Sequence, residues 1–150
     1  MKRFALGFGV LAILLPILAS AAEQQKSPDE QAVRASVADY IEGYYSGDAS
    51  RMERSLHPHY LKHTISGTEG KLKITDKTGL EMIEEVRANG PSDLPVSERK
   101  EQISVLDITD DAASVKLVAA HWMDYITLLK WNGEWKIVSV VLRKSDSHAH

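Results

Sequence analysis

Residues 40–60 read YIEGYYSGDASRMERSLHPHY, and their reading decides the fold. Tyr40, Ile41 and Tyr44 continue the helical spacing of Val33 and Val37, so one face of this first helix is buried. Gly47 ends that helix, and Asp48 supplies the cap of a second one running from Ala49 to about Leu56. Met52, Ser55 and Leu56 form its inner stripe. Pro58 pushes His57 into an extended conformation and stops the second helix. Tyrosines and histidines thus collect at a joint between elements, where pockets form.

Upstream, Ser27-Pro28-Asp29-Glu30 has the marks of a helix start: a capping Ser, Pro in the first turn, and acids at the positive end of the dipole. Glu30 follows Ser27 by three residues, a capping-box spacing. Downstream, residues 60–66 and 71–75 read as two short strands around Gly67-Thr68-Glu69-Gly70. Residues 78–88 read as a third helix with Leu80, Ile83 and Val86 inward, followed by a breaker-rich loop at 89–95. The remainder is β: strands at 100–109, 112–122, 125–131 and 134–142. The last two are joined by Asn132-Gly133, the strongest short hairpin signal.

Residues 1–21 have the order of a secretory leader: Lys2 and Arg3, an apolar run at 4–18, and Ala19-Ser20-Ala21 as the cleavage site. The expected division is a signal peptide at 1–21, a linker and helix start at 22–29, the domain at 30–142 and a polar tail at 143–150. The chain is then expected in the periplasm or secreted, with no membrane association after cleavage. Cleavage leaves 129 of the 150 residues, enough for one domain with one core. The loss of Lys2 and Arg3 takes the formal charge from −3 to −5, which gives no electrostatic footprint for nucleic acid. With no cysteine, stability must come from the core rather than from disulfides.

Three helices followed by a long antiparallel run is an α+β pattern. Strict alternation along the last strand puts Trp135, Ile137 and Val141 on one face, and Val138, Val140 and Leu142 on the other. A sheet covered on one side only would not carry apolar residues on both. The second face therefore calls for a cover, and a second copy of the chain is the simplest one.

The residues 40–48, YIEGYYSGD, with Arg51-Met52-Glu53 and Leu56-His57-Pro58, resemble the first half of the putative lumazine-binding subgroup. That subgroup belongs to the nuclear-transport-factor-2-like (NTF2-like), SnoaL-like superfamily. Val105-Leu106-Asp107, residues 112–116, Asp124-Tyr125 and residues 133–138, GEWKIV, resemble its second half. The resemblance implies an NTF2-like cone, in which a curved antiparallel sheet wraps three N-terminal helices around a central pocket. It also implies dimerisation through the outer sheet face. It does not single out a reaction, because the superfamily holds isomerases, cyclases, hydrolases, dehydratases, transport factors and binding domains.

Two clusters carry candidate chemistry. His57, His59 and His63 gather at the start of the first strand, and imidazoles near neutral pKa suit acid–base work. His121, Trp122, Asp124 and Tyr125 form the second. His121 is expected on the strand face of Val115, Leu117 and Ala119, and Asp124 needs a polar partner if it is buried. His57, His63 and Asp124 are thus the catalytic candidates, and Tyr40, Tyr44, Tyr60, His121 and Tyr125 the ligand-binding ones. The histidine spacings match no established metal motif, so no metal site and no cofactor are expected. The expected function is an exported domain binding a small apolar or aromatic molecule in a central pocket. The alternative is a cofactor-independent SnoaL-like isomerase, hydrolase or dehydratase using a His/Asp pair.

Overall fold

The computed structural model describes residues 26–144. The expected leader at 1–21 and the end of the tail, 145–150, lie outside the described residues. Helix α1 spans Pro28–Ser46 and α2 spans Ala49–Ser55. Strand β1 (Leu56–Ser66) follows at once, then β2 (Lys73–Thr78) and helix α3 (Gly79–Asn89). A short turn of 3-10 helix (Val96–Glu98) leads into β3 (Gln102–Ile108), β4 (Ala112–Val118), β5 (Trp122–Trp131) and β6 (Glu134–Lys144).

The helix ends follow local chemistry. Ser27 Oγ accepts the Glu30 N–H at 3.1 Å, but the Glu30 carboxylate holds Arg34 at 2.9 Å instead of closing the expected capping box. A full capping box forms at α3 instead, between Thr78 and Glu81. Asp48 accepts the N–H groups of Ser50 and Arg51 and so starts α2. Between the two helices Gly47 adopts a φ of 72°, and a Cβ there would lie 2.3 Å from the Gly90 carbonyl carbon. Only glycine fits a left-handed turn pressed against another backbone in this way.

The six strands form one curved, unclosed sheet in the order β2-β1-β6-β5-β4-β3. It is antiparallel throughout except that β1 runs parallel to β6, which makes the sheet mixed rather than the antiparallel one expected. The two parallel neighbours are far apart in sequence: β2, α3, the 3-10 turn and β3 to β5 lie between them. The helices pack on one face, where Val33, Val37 and Ile41 of α1 and Met52 of α2 meet Val115, Leu117, Leu128, Ile137 and Val140. Each of these is fully or almost fully buried, worth about 1.5–3 kcal/mol per side chain.

Four further expectations differ from the structure. The run at 112–122 is not one strand: β4 ends at Val118, and residues 119–121 turn, with the Ala119 N–H bonded to the Trp122 carbonyl at 3.0 Å. His121 therefore sits in a hairpin turn, not on the face of Val115 and Leu117. In α3, Met82 and Val86 point inward while Leu80 is exposed, because Gly79 packs against Tyr60 and sets the helix rotation. In β6, Thr127 pairs with Ser139 and Leu128 with Ile137, so Val138 is an unpaired bulge residue. The bulge reverses the side-chain alternation, placing Val140 and Leu142 on the same buried face as Trp135 and Ile137. The outer face keeps only Val138 and Val141 from this set, both partly covered. β6 also continues through Lys144, two residues past its expected end.

Candidate functional site

The alternation of β1 turns Tyr60, Lys62 and Thr64 toward the helices, and leaves Leu61, His63 and Ile65 on the other face. Across the sheet, β5 turns Asp124, Ile126 and Leu128 inward by the same rule. Strand β6 lies between the two, with Val140 opposite Lys62 and Leu142 opposite Asp124. Tyr40 of α1 stands over this part of the sheet. Four polar side chains thus meet in an otherwise apolar interior: Tyr40, Tyr60, Lys62 and Asp124.

All four are nearly removed from water, with Asp124 at 0 % exposure and Lys62 at 8 %. Lys62 Nζ donates to the Tyr40 hydroxyl at 2.7 Å and lies 5.4 Å from the centre of that ring. Asp124 Oδ2 accepts the indole N–H of Trp122 at 3.2 Å. Among the described residues, Asp124 Oδ1 and the Tyr60 hydroxyl have no hydrogen-bond partner. Buried polar atoms of this kind are costly unless a ligand or water meets them.

Burial dominates the titration of the whole cluster. It pushes the Asp124 carboxyl above the usual carboxylate range, only partly offset by Lys62 and the Trp122 bond. It lowers the Lys62 amine, against the pull of Asp124 and with help from Lys77. The Tyr40 hydroxyl is held well above its ordinary value by burial and by the negative charge that Tyr60 and Asp124 can carry, and burial raises Tyr60 too. Each group is shifted toward its neutral form.

Above this floor opens a cavity of about 530 Å³. Its walls include the apolar side chains of Ile41, Met82 and Leu142. Tyr44 and Trp122 meet edge to face at 5.5 Å beside it, and His121 and Lys144 are exposed at its rim. On the far wall Lys77 is paired with Glu85, and Asp76 is paired with His63 at 2.7 Å.

The residues singled out in the sequence divide accordingly. Tyr40, Tyr44 and His121 line the cavity. Tyr60 and Asp124 are buried at its base without forming its wall. His57 is turned away: its Nδ1 accepts the His59 N–H at 3.0 Å, and its ring meets the edge of Trp131 at 5.0 Å. His63 is on the outer face of β1 and reaches the site only through Asp76. Tyr125 is 49 % exposed on the outer face, with Lys116 over its ring. The proline exit and strand parity thus prevent His57 or His63 from pairing with Asp124. The residue that sequence reasoning passed over is Lys62; its signal was its two-residue offset from Tyr60, which puts both on the inner face.

Fold and site together define a pocket-bearing α+β cone with a buried polar floor. The profile of the family described as "Putative lumazine-binding" matches residues 28–143, and the chain belongs to that family. Among solved structures, the chain is similar to an NTF2-like protein of unknown function from Methylobacillus flagellatus. That match has 20 % identity and a TM-score of 0.64, covering 82 % of this chain and 97 % of that one. A second NTF2-like protein of unknown function, from Silicibacter pomeroyi, gives 20 % identity and a TM-score of 0.57 over 77 % and 95 % of the two chains. A ketosteroid isomerase-like protein from Erwinia carotovora gives 11 % identity and 0.56, over 81 % and 99 %. These likenesses establish the NTF2-like fold. No curated protein matches the sequence.

Proposed function

We propose that this chain is an exported domain that binds a small aromatic molecule in the cavity, with a polar edge of the ligand on the Lys62–Tyr40 pair. The observation that carries this reading is that pair, set at the base of an aromatic-lined cavity. The volume suits a small organic ligand, for which sites of about 300–1,000 Å³ are usual. Tyr44 and Trp122 offer ring surface at the mouth, and Lys62 with Tyr40 offers a donor at the base. The family description points to a flat heteroaromatic as the first probe. Calorimetric titration with lumazine and related bicyclic heteroaromatics tests the reading. Saturable one-to-one binding that Lys62→Met weakens at least tenfold supports it; heat indistinguishable from dilution with every such ring rejects it.

Export rests on the order of charges, apolar run and small residues at 1–21. Mass analysis of the chain from the periplasmic fraction is expected to show a start after Ala21. Assembly of two copies through the outer sheet face rests on Tyr125, Val138 and Val141. Light scattering on the purified protein tests it, and a monomer at high concentration would remove it.

A second reading, cofactor-independent acid–base catalysis, is favoured by the Asp124 carboxyl, which burial shifts toward its neutral form beside Tyr40. Tyr40 and Lys62 take the place that the histidines were expected to fill. The reaction class would be proton abstraction and return on a bound ligand, with loss of exchange in Asp124→Asn as its measure.

A further inference from the structure

Lysine normally keeps its ammonium in water even when its stem is buried. Lys62 does the opposite: its amine is drawn into the interior, yet it still contributes to the wall of an open cavity. An ammonium has three N–H donors to satisfy. Within the described residues Lys62 Nζ has one hydrogen-bond acceptor, the Tyr40 hydroxyl at 2.7 Å, and no carboxylate at ion-pair distance. Such a setting fits an amine that carries a free lone pair. The other two lysines of the cavity differ: Lys77 is held by Glu85, and Lys144 is exposed at the rim.

We propose that Lys62 is a reactive amine that captures an aldehyde or ketone group of a cavity-bound ligand as a Schiff base. The proposal rests on the reading of the cavity as a small-molecule site and names the chemical class of its ligand. The lone pair of Nζ attacks the carbonyl carbon while the carbonyl oxygen takes the Tyr40 hydroxyl proton. Nζ then returns a proton to Tyr40, leaving a neutral carbinolamine. Its hydroxyl departs as water on receiving a proton from the Tyr40 hydroxyl, and the iminium nitrogen gives that proton back to Tyr40. One C=N bond forms, one C=O bond breaks, one water leaves, and no oxidant or reductant is consumed. Burial of an amine in an apolar site is a known route to such nucleophiles.

The groups facing Nζ set its pH dependence. Burial and Lys77 of β2 favour the free amine, while Asp124 of β5 and Glu85 of α3 oppose them. Tyr40 of α1 and Tyr60 of β1 remain neutral across the working range, because burial raises both.

The test is reductive trapping on the unaltered chain with benzaldehyde and cyanoborohydride near neutral pH, read by intact mass and peptide mapping. The expected result is one benzyl group per chain on Lys62, formed faster than on Lys77 or Lys144. The advantage should be roughly tenfold for each unit by which the amine is lowered. Lys62→Arg, which keeps a cation but cannot form an imine, should abolish this adduct, and Lys116→Arg, on the outer sheet face, should retain it. Labelling spread over exposed lysines, or none at Lys62, overturns the proposal. Calorimetry with indole, which has no carbonyl, separates the two readings. If indole binds while Lys62 stays unlabelled, the Schiff base falls and the cavity reading stands; if indole also fails to bind, both fall.

Discussion

The Lys62 amine donates to the Tyr40 hydroxyl at 2.7 Å, tying the inner face of β1 to α1 across the base of the cavity. Both residues are buried, so little water reaches either one. Tyr40→Phe keeps the ring and removes the acceptor, leaving an N–H group without a partner. The expected loss is about 1–3 kcal/mol, read as a lower urea midpoint at unchanged slope. Combining it with Lys62→Met should cost less than the sum of the single changes, with a coupling of about 0.5–3 kcal/mol. Strict additivity would show that the bond is not formed in solution.

Gly47→Ala tests the joint that brings α2 under α1. The φ of 72° disfavours a side chain by roughly 1–2 kcal/mol, and the added Cβ would meet the backbone of Gly90 and Pro91 at 2.3–2.4 Å. Backbone cannot rotate aside as a flexible side chain can. A destabilisation of about 2–4 kcal/mol in chemical denaturation is expected. At Gly133, which also has positive φ but no atom within 4 Å of a Cβ, the same change should cost only about 1 kcal/mol. Equal losses at the two sites would remove the steric argument.

Much of the architecture was legible because it is written in local chemistry. The Asp48 cap, the Pro58 exit and the Asn132-Gly133 turn each act over a few residues, and all occur where the sequence places them. The parallel β1–β6 pairing was not legible, since it joins residues as distant in sequence as Leu56 and Ile137. Nor was the bulge at Val138, which leaves no mark in the pattern of alternating apolar residues yet decides which of them are core. The site shows the same division. Tyr40 and Tyr44 were found from helix periodicity, whereas Lys62 reads in one dimension as a solvated charge. Its burial depends on the sheet curving beneath α1, and the outward turn of His57 and His63 depends on the parity set at Pro58.

At the mouth, Tyr44 is 37 % exposed and meets Trp122 edge to face. Tyr44→Ala should change stability by less than about 1 kcal/mol, since the ring closes no part of the core. Its effect should fall on ligand affinity: a lost aromatic contact of about 0.5–1.5 kcal/mol weakens binding by up to roughly tenfold. Calorimetry with the heteroaromatic probes checks this. Unchanged affinity would place the bound ring elsewhere in the cavity.

Asp124 and Lys62 predict slopes of opposite sign in stability against pH. The Asp124 carboxyl is raised from 3.8 in the folded chain, so above that value the unfolded chain gives up a proton that the folded one keeps. Stability therefore falls as pH rises from 3.8 to the folded value, and the deficit is constant beyond it. Asp124→Asn has no such proton, so its stability relative to the unaltered chain should improve across that window. The gain is about 1.4 kcal/mol for each unit of the shift. Lys62 is lowered from 10.5, so between its folded value and 10.5 the unfolded chain holds the extra proton. Stability then rises with pH through that window, and Lys62→Met should remove the rise. Denaturation midpoints measured from pH 3 to pH 11 on the three proteins separate the two effects. A difference curve for Asp124→Asn that is flat or falls between pH 4 and neutrality would mean that the buried carboxyl stays ionised, and would remove it as a proton donor in the cavity.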